Sequence, residues 1–243
     1  MVNVLVSKQF IARFGERFKA IGAAAGKPVT FMTLPESPGA RLTQAECERV
    51  DLMFLDRDMR FDEQLHDAYA DGLLRMVNLK WAHYTSSGIG QQLHIEELNR
   101  RGVITTSSTG SNAEPVAQTG FAMLLMLARG FGSHIHSQAK REWSPLRGAQ
   151  LPDDLRGQTL LLIGVGHVGK TVATYARAFG IKTIGVRRTP MQPGDPVDEL
   201  YPPSKLKELL PRADWVMICC PLTKEIRNRS EEHTSELQSP CNL

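Results

Sequence analysis

The chain has 243 residues, of which 42% are hydrophobic and 23% are charged, a composition that excludes disordered and collagen-like proteins. Twenty-nine lysines and arginines against 26 aspartates and glutamates give a formal charge of +3, which does not indicate a nucleic acid or a membrane surface as partner. The four cysteines lack the spacing of zinc sites and disulfide scaffolds. The N-terminus has no signal-peptide pattern, and no apolar run reaches the roughly 20 residues that cross a bilayer. We therefore expect a cytoplasmic protein with reduced thiols and no metal.

The first hundred residues alternate between strand-like and helix-like segments, which is the pattern of a parallel sheet flanked by helices. In the first helical segment, Phe10, Phe14, Phe18 and Ile21 recur at helical spacing. The predicted strands are 2–6, 29–34, 51–55, 80–85 and 102–106, and the predicted helices are 9–25, 62–74 and 91–101. We predict a doubly wound α/β domain over residues 1–108.

A polar stretch at 107–112 marks the predicted domain boundary, and a long apolar helix follows at 113–129. Ser111 and Glu114 have the spacing of a capping box, and Pro115 is tolerated in a first helical turn. Because this helix is apolar on nearly every face, we expect it to pack between the two domains.

The alternation restarts in the second half of the chain and predicts a second α/β domain over residues 109–228. Its predicted strands are 159–163, 182–186 and 215–219, and its predicted helices are 168–179 and 204–210. Together the two halves predict the α/β fold class, with two doubly wound parallel sheets.

The sharpest motif is a G-x-G-x-x-G sequence that follows the first of these strands and opens the next helix. Gly164 permits a tight turn, Gly166 lets a pyrophosphate approach the backbone, and Gly169 lets the helix pack closely on the strand. The N–H groups at the helix start favour an anion, so we include His167 and Val168 in the predicted cofactor site. The alternative is an ordinary glycine-rich turn.

Two arginines follow the second strand of this unit, where an acidic residue usually binds the ribose 2′-OH of NAD. Arg187 and Arg188 favour NADP over NAD, because guanidinium groups make bidentate, charge-assisted hydrogen bonds to a 2′-phosphate. The alternative is that one or both are solvated loop charges.

With these features in place, the sequence resembles the D-isomer specific 2-hydroxyacid dehydrogenase family, in particular its glyoxylate and hydroxypyruvate reductases. The matching stretches are 79–90, 112–118, 155–169 and 220–223. The resemblance implies a flavodoxin-like substrate domain, a Rossmann-like NAD(P)-binding domain and a homodimer. It also implies hydride transfer between the nicotinamide and a small 2-oxo or 2-hydroxy acid. Gln118 departs from the family pattern, which usually has Glu there.

By the same resemblance, Ser87, Gly88 and Ile89 bind the substrate carboxylate through backbone N–H groups. A glycine-containing turn after a strand can form such an anion-binding nest, although a plain turn is equally compatible with the sequence. The resemblance also places three further residues against the cofactor: Pro221, Leu222 and Thr223.

The family's catalytic Arg, Glu and His lie downstream of the segment that matches 220–223. Residues 229–243 do not continue the family pattern and read like a translated sequencing-library adapter, so we expect them to be foreign and the second domain to be incomplete. We assign no catalytic residue, since no local histidine is paired with a carboxylate at useful spacing. The histidines considered and set aside are His83, His94, His134, His136 and His167. We therefore expect this chain to be an inactive fragment of a dehydrogenase. The alternative is that it comes from a dinucleotide-sensing corepressor of the same fold.

Overall fold

The structure, a computed structural model, describes residues 1–86 and 94–220. The chain forms two compact units, Met1–Ser111 and a second that begins at Asn112. Each unit contains one parallel sheet with flanking helices, so the predicted α/β fold class is confirmed. No helix within the described ranges is both long and apolar enough to cross a membrane.

The first unit has a five-stranded sheet in the order β2-β1-β3-β4-β5, with all pairs parallel. This is the flavodoxin-like order 2-1-3-4-5. Its strands are β1 (Val2–Leu5), β2 (Val29–Met32), β3 (Leu52–Leu55), β4 (Trp81–Tyr84) and β5 (Ile104–Ser107). Its helices are α1 (Lys8–Ala24), α2 (Gln44–Glu48), α3 (Arg57–Phe61), α4 (Glu63–Leu73) and α5 (Ile95–Arg100).

Alternation along the strands separates two faces of this sheet. Met53 and Leu55 on β3 are fully buried in the main core cluster, whereas Phe54 between them faces the aromatic side of α1. The rings of Phe10 and Phe54 lie 4.8 Å apart between centroids. α1 starts at Ser7, whose hydroxyl accepts a hydrogen bond from the backbone N–H of Phe10 and satisfies one of the unpaired donors of the first turn.

The second unit has a four-stranded parallel sheet in the order β8-β7-β6-β9. Numbered within the unit, this is 3-2-1-4, the first four strands of the Rossmann order 3-2-1-4-5-6. Its strands are β6 (Thr159–Ile163), β7 (Lys182–Val186), β8 (Glu199–Tyr201) and β9 (Trp215–Ile218). Its helices are α6 (Ala113–Ala128), α7 (Phe131–Ala139), α8 (His167–Ala178) and α9 (Leu206–Leu209). α6 and α8 share one core cluster with β6.

Among the numbered helices and strands of the described residues, α2, α3, α7 and β8 were not predicted from the sequence, and neither was the short 3₁₀ segment Gly148–Gln150. The predicted helix over 204–210 consists of α9 flanked by two short 3₁₀ segments, Pro203–Lys205 and Leu210–Arg212, each with a proline in its first turn. A proline cannot donate a backbone hydrogen bond, which limits regular helix there.

The predicted capping box of α6 is wrong. The helix begins after Asn112 without a side-chain cap, and the Ser111 hydroxyl donates to the Ser108 carbonyl instead. Glu114 accepts hydrogen bonds from the Tyr175 hydroxyl on α8 and from the Gln118 amide one turn later. The carboxylate of Glu114 therefore accepts a tertiary hydrogen bond from Tyr175 and does not cap the helix.

Candidate cofactor site

The glycine loop joins β6 to α8, and its three glycines are needed for three different reasons. Gly164 has φ +102°, and a Cβ there would lie 2.7 Å from the backbone nitrogen of Cys220. Gly169 packs so closely that a Cβ would overlap the carbonyl oxygen of Gly164. Gly166 differs, because no atom of the described residues lies within 4 Å of the position its Cβ would take. The loop is thus closed against the protein at its two ends and open at its middle glycine.

The N-terminus of α8 lies at this open glycine and carries unpaired donors. Gly166 is the N-cap and makes no side-chain cap, and the first helical hydrogen bond is donated by Lys170 to the Gly166 carbonyl, at 2.9 Å. The backbone N–H groups of 167–169 precede that bond and have no intrahelical acceptor. An open glycine beside these donors fits a pyrophosphate, which needs close backbone approach and positive partial charge.

Arg187 follows directly after β7 and is held by five acceptors. Its Nε donates to the Thr189 carbonyl at 2.9 Å, and its Nη1 donates to Asp195 at 3.1 Å and to the Val165 carbonyl at 3.5 Å. Its Nη2 donates to the other oxygen of Asp195 and to the Pro190 carbonyl. A guanidinium has five N–H donors, so all of them are engaged within the protein.

Asp195 is the partner that the sequence reasoning did not find. Its carboxylate is fully shielded from solvent and also accepts from the Lys170 ammonium at 2.9 Å and the backbone N–H of Gln192 at 2.7 Å. These hydrogen bonds, that of Arg187 first, hold the pKa of Asp195 well below its usual range. Arg188, the second predicted arginine, is exposed.

The two cysteines at the end of β9 pack against the glycine loop. Cys219 is half-buried, and its Cβ lies 3.6 Å from where a Cβ on Gly169 would be. Burial raises the pKa of the Cys219 thiol to about 11, which disfavours the reactive thiolate. Both thiols are reduced, and Cys220 closes the loop beside Gly164.

The predicted residues at 87–89 and 221–223 lie outside the described residues. Among the histidines set aside from the sequence, His83 on β4 has both ring nitrogens within 3.0 Å of hydroxyls, those of Thr106 and Ser108, and burial lowers its pKa. The ion pairs found in residues 1–86 and 94–220 involve lysine and arginine, and none involves histidine.

Residues 121–237 match the NAD-binding domain of D-isomer specific 2-hydroxyacid dehydrogenases, a segment that contains the glycine loop, Arg187 and Asp195. This part of the chain resembles the D-isomer specific 2-hydroxyacid dehydrogenase family. The resemblance predicted from the sequence is therefore confirmed, and the open loop lies within the segment that matches the NAD-binding domain.

Individual proteins resemble longer parts of the chain. It is 32% identical to glyoxylate reductase from Thermococcus gammatolerans over 154 residues, 60% of this chain and 45% of that protein. It is also 32% identical to an uncharacterized protein encoded in the mprR 3′ region of Streptomyces coelicolor over 150 residues, 62% of this chain and 52% of that protein. The chain thus spans about half the length of these relatives.

The fold has solved counterparts among the same dehydrogenases. The structure of D-lactate dehydrogenase from Aquifex aeolicus, complexed with NAD and lactic acid, superposes with a TM-score of 0.63 at 23% identity. The match covers 93% of this chain and 62% of that one. At this identity the likeness concerns the fold.

Proposed function

We propose that the chain is part of an NAD(P)-dependent D-2-hydroxyacid dehydrogenase that acts on a small 2-oxo acid of the glyoxylate or hydroxypyruvate class. The observation that carries the proposal is the open backbone at Gly166 beside the donors of α8, within a segment that matches the family's NAD-binding domain. The substrate class follows the glyoxylate reductases among the relatives.

Each part of the proposed site has one task. The glycine loop, with His167 and Val168, binds the pyrophosphate, and Pro221, Leu222 and Thr223 contact the nicotinamide side of the cofactor. Ser87, Gly88 and Ile89 orient the substrate carboxylate. When bound, the nicotinamide supplies or accepts the hydride. The proton must come from a general acid, and the family's His, Glu and Arg follow the segment matched by 220–223.

The proposed cofactor is NADP rather than NAD. No acidic side chain follows β7 directly, and the carboxylate that does reach this region, that of Asp195, already accepts four hydrogen bonds. It is therefore saturated and cannot also bind a ribose hydroxyl. Because Arg187 is likewise saturated, we assign the direct contact with the 2′-phosphate to Arg188.

The test is a pair of titrations of the 243-residue chain, with NADPH and with NADH, followed by nicotinamide fluorescence. We expect NADPH to bind more tightly, and Arg188→Ala to weaken NADPH by about tenfold, the loss of one charge-assisted hydrogen bond, while leaving NADH within about twofold. Arg13→Ala, which removes an exposed arginine from α1 of the first unit, is the matched control. Equal or tighter binding of NADH by the unaltered chain would reject the NADP assignment.

We also propose that the full-length protein is a cytoplasmic homodimer joined through the second unit. Support comes from large apolar side chains that this unit leaves exposed, namely Met123, Leu127, Ile135, Trp143 and Leu151. Trp143 and Leu151 line a groove of about 650 Å³ beside α7. Large apolar side chains that line an exposed groove are typical of an interface.

Sedimentation velocity tests the dimer. We expect twice the mass of one chain, and expect Trp143→Ser to shift the equilibrium toward the monomer, because Trp143 is 94% exposed in one chain and an interface would bury it. Val77→Ser, at an exposed site of the first unit, is the control. A monomer at all concentrations, or a shift caused equally by the control, contradicts the proposal.

A further inference from the structure

The ion cluster beneath the glycine loop combines three charged side chains from three segments. Lys170 lies in the first turn of α8, Arg187 follows β7, and Asp195 lies in the loop that leads to β8. Both Arg187 and Asp195 have every hydrogen-bonding position filled, and their side chains are 12% and 0% exposed. They form a closed internal pair that fixes the loop between them.

Lys170 is the member of the cluster that still faces solvent. Its side chain is 46% exposed, and one of its three ammonium N–H groups is used, in the 2.9 Å contact with Asp195. The contact draws the ammonium toward the end of β7, which is where the ribose 2′ substituent of a dinucleotide is read in this kind of unit. The remaining donors of Lys170 can therefore serve a ligand.

The charges of this region also match a phosphate. Lys170, Arg187 and Asp195 carry a summed charge of +1. A phosphate monoester carries about −1.5 to −2 at pH 7, whereas an unmodified ribose is neutral and would leave the positive charge of this cluster uncompensated.

We propose that Lys170 is a second specificity-determining cation for the 2′-phosphate, held in place by Asp195. The inference rests on the proposed function and deepens it: Arg188 contacts the phosphate from the strand end, and Lys170 contacts it from the helix. Arg187 acts as a positioning residue, because it anchors Asp195 and does not touch the ligand.

The experiment uses two nucleotides that differ in the 2′-phosphate, adenosine 2′,5′-bisphosphate and adenosine 5′-monophosphate, titrated calorimetrically into the 243-residue chain. Lys170→Met removes the charge and keeps the aliphatic stem, which protects packing on the helix. Lys170→Arg retains a cation that can still reach Asp195. Lys205→Met is the matched control, since Lys205 is another exposed, ion-paired lysine of the same unit.

We expect Lys170→Met to weaken the bisphosphate by about fivefold to twentyfold and the monophosphate by less than twofold, with Lys170→Arg near the unaltered chain and the control unchanged. Equal weakening of both nucleotides would show a structural effect on the loop and overturn the inference. Unchanged binding of both nucleotides would also overturn the inference. If the unaltered chain binds neither nucleotide, the proposed function itself fails.

Discussion

At the scale of single residues, the glycine loop separates a requirement of the fold from a requirement of binding. Gly169 is closed in by the Gly164 carbonyl, which is backbone and cannot move aside cheaply. The described residues leave open space around Gly166, and its extended conformation, with φ −92° and ψ −155°, is one that any residue can adopt. The fold therefore requires glycine at position 169, whereas no contact among the described residues requires glycine at position 166. We infer that a ligand supplies the reason at Gly166.

Two substitutions test this distinction. Gly169→Ala is expected to destabilise the second unit by about 1–3 kcal/mol through overpacking. Gly166→Ser is expected to change stability by less than about 0.5 kcal/mol, since serine is a favoured N-cap, while weakening NADPH at least about tenfold because its side chain fills the open space. Urea denaturation measures the first effect and NADPH titration the second. Normal NADPH affinity in Gly166→Ser would show that the pyrophosphate does not bind at this loop.

The cluster of Lys170, Arg187 and Asp195 shows how the surroundings of an arginine determine its role. Both arginines looked equivalent in the sequence, as two guanidiniums after a strand. The structure distinguishes them, because Arg187 is anchored by a buried carboxylate eight residues later. No periodicity or motif links Asp195 to this pair, since the contact depends on the path of the intervening loop.

At the scale of elements, the segments that could be predicted are those in which a continuous apolar run indicates a buried strand. β6 and β7 have the predicted bounds, Thr159–Ile163 and Lys182–Val186, because both are buried strands bounded by polar or glycine-containing turns. α7 and β8 escaped prediction for the opposite reason. α7 has no buried residue, and β8 is three residues long with half-buried side chains.

Helix caps show the same limit at finer detail. Thr43 and Glu46 form a complete capping box at α2, with the threonine hydroxyl accepting from the Glu46 N–H and the carboxylate accepting from the Thr43 N–H at 2.8 Å. Ser111 and Glu114 have the same spacing but form none. The difference lies in Tyr175, which hydrogen-bonds Glu114 from another helix. A local pattern predicts a cap only where no tertiary partner competes for its carboxylate.

The same contact gives Gln118 a role. Its amide donates to Glu114 one helical turn away, at 3.2 Å. A glutamate in its place would put two carboxylates at i,i+4 spacing, an unfavourable pair on a helix surface. The departure from the family pattern is therefore compatible with the Tyr175 contact that joins α6 and α8.

At the scale of the whole molecule, the chain contains two sheets, each with its own core. The chain spans about half the length of its relatives. Reduction of a 2-oxo acid requires a proton donor, a group that tunes it and a cation that polarises the carbonyl. Within the described ranges no three His, Cys, Asp or Glu side chains cluster as a metal site would require, and His83 is held between two hydroxyls. By the resemblance to the family, the catalytic Arg, Glu and His are expected downstream of the segment that matches 220–223.

We therefore expect the 243-residue chain to bind NADPH and yet fail to reduce glyoxylate or hydroxypyruvate. Loss of NADPH absorbance measures the reaction, and a full-length glyoxylate reductase in the same assay is the positive control. Typical enzymes turn over about 1 to 1,000 times per second, and this chain should lie at the level of buffer alone. Turnover in the enzymatic range would mean that a general acid exists within these residues. His83→Gln would then be the first variant to examine, because it is the histidine whose ring contacts are best defined.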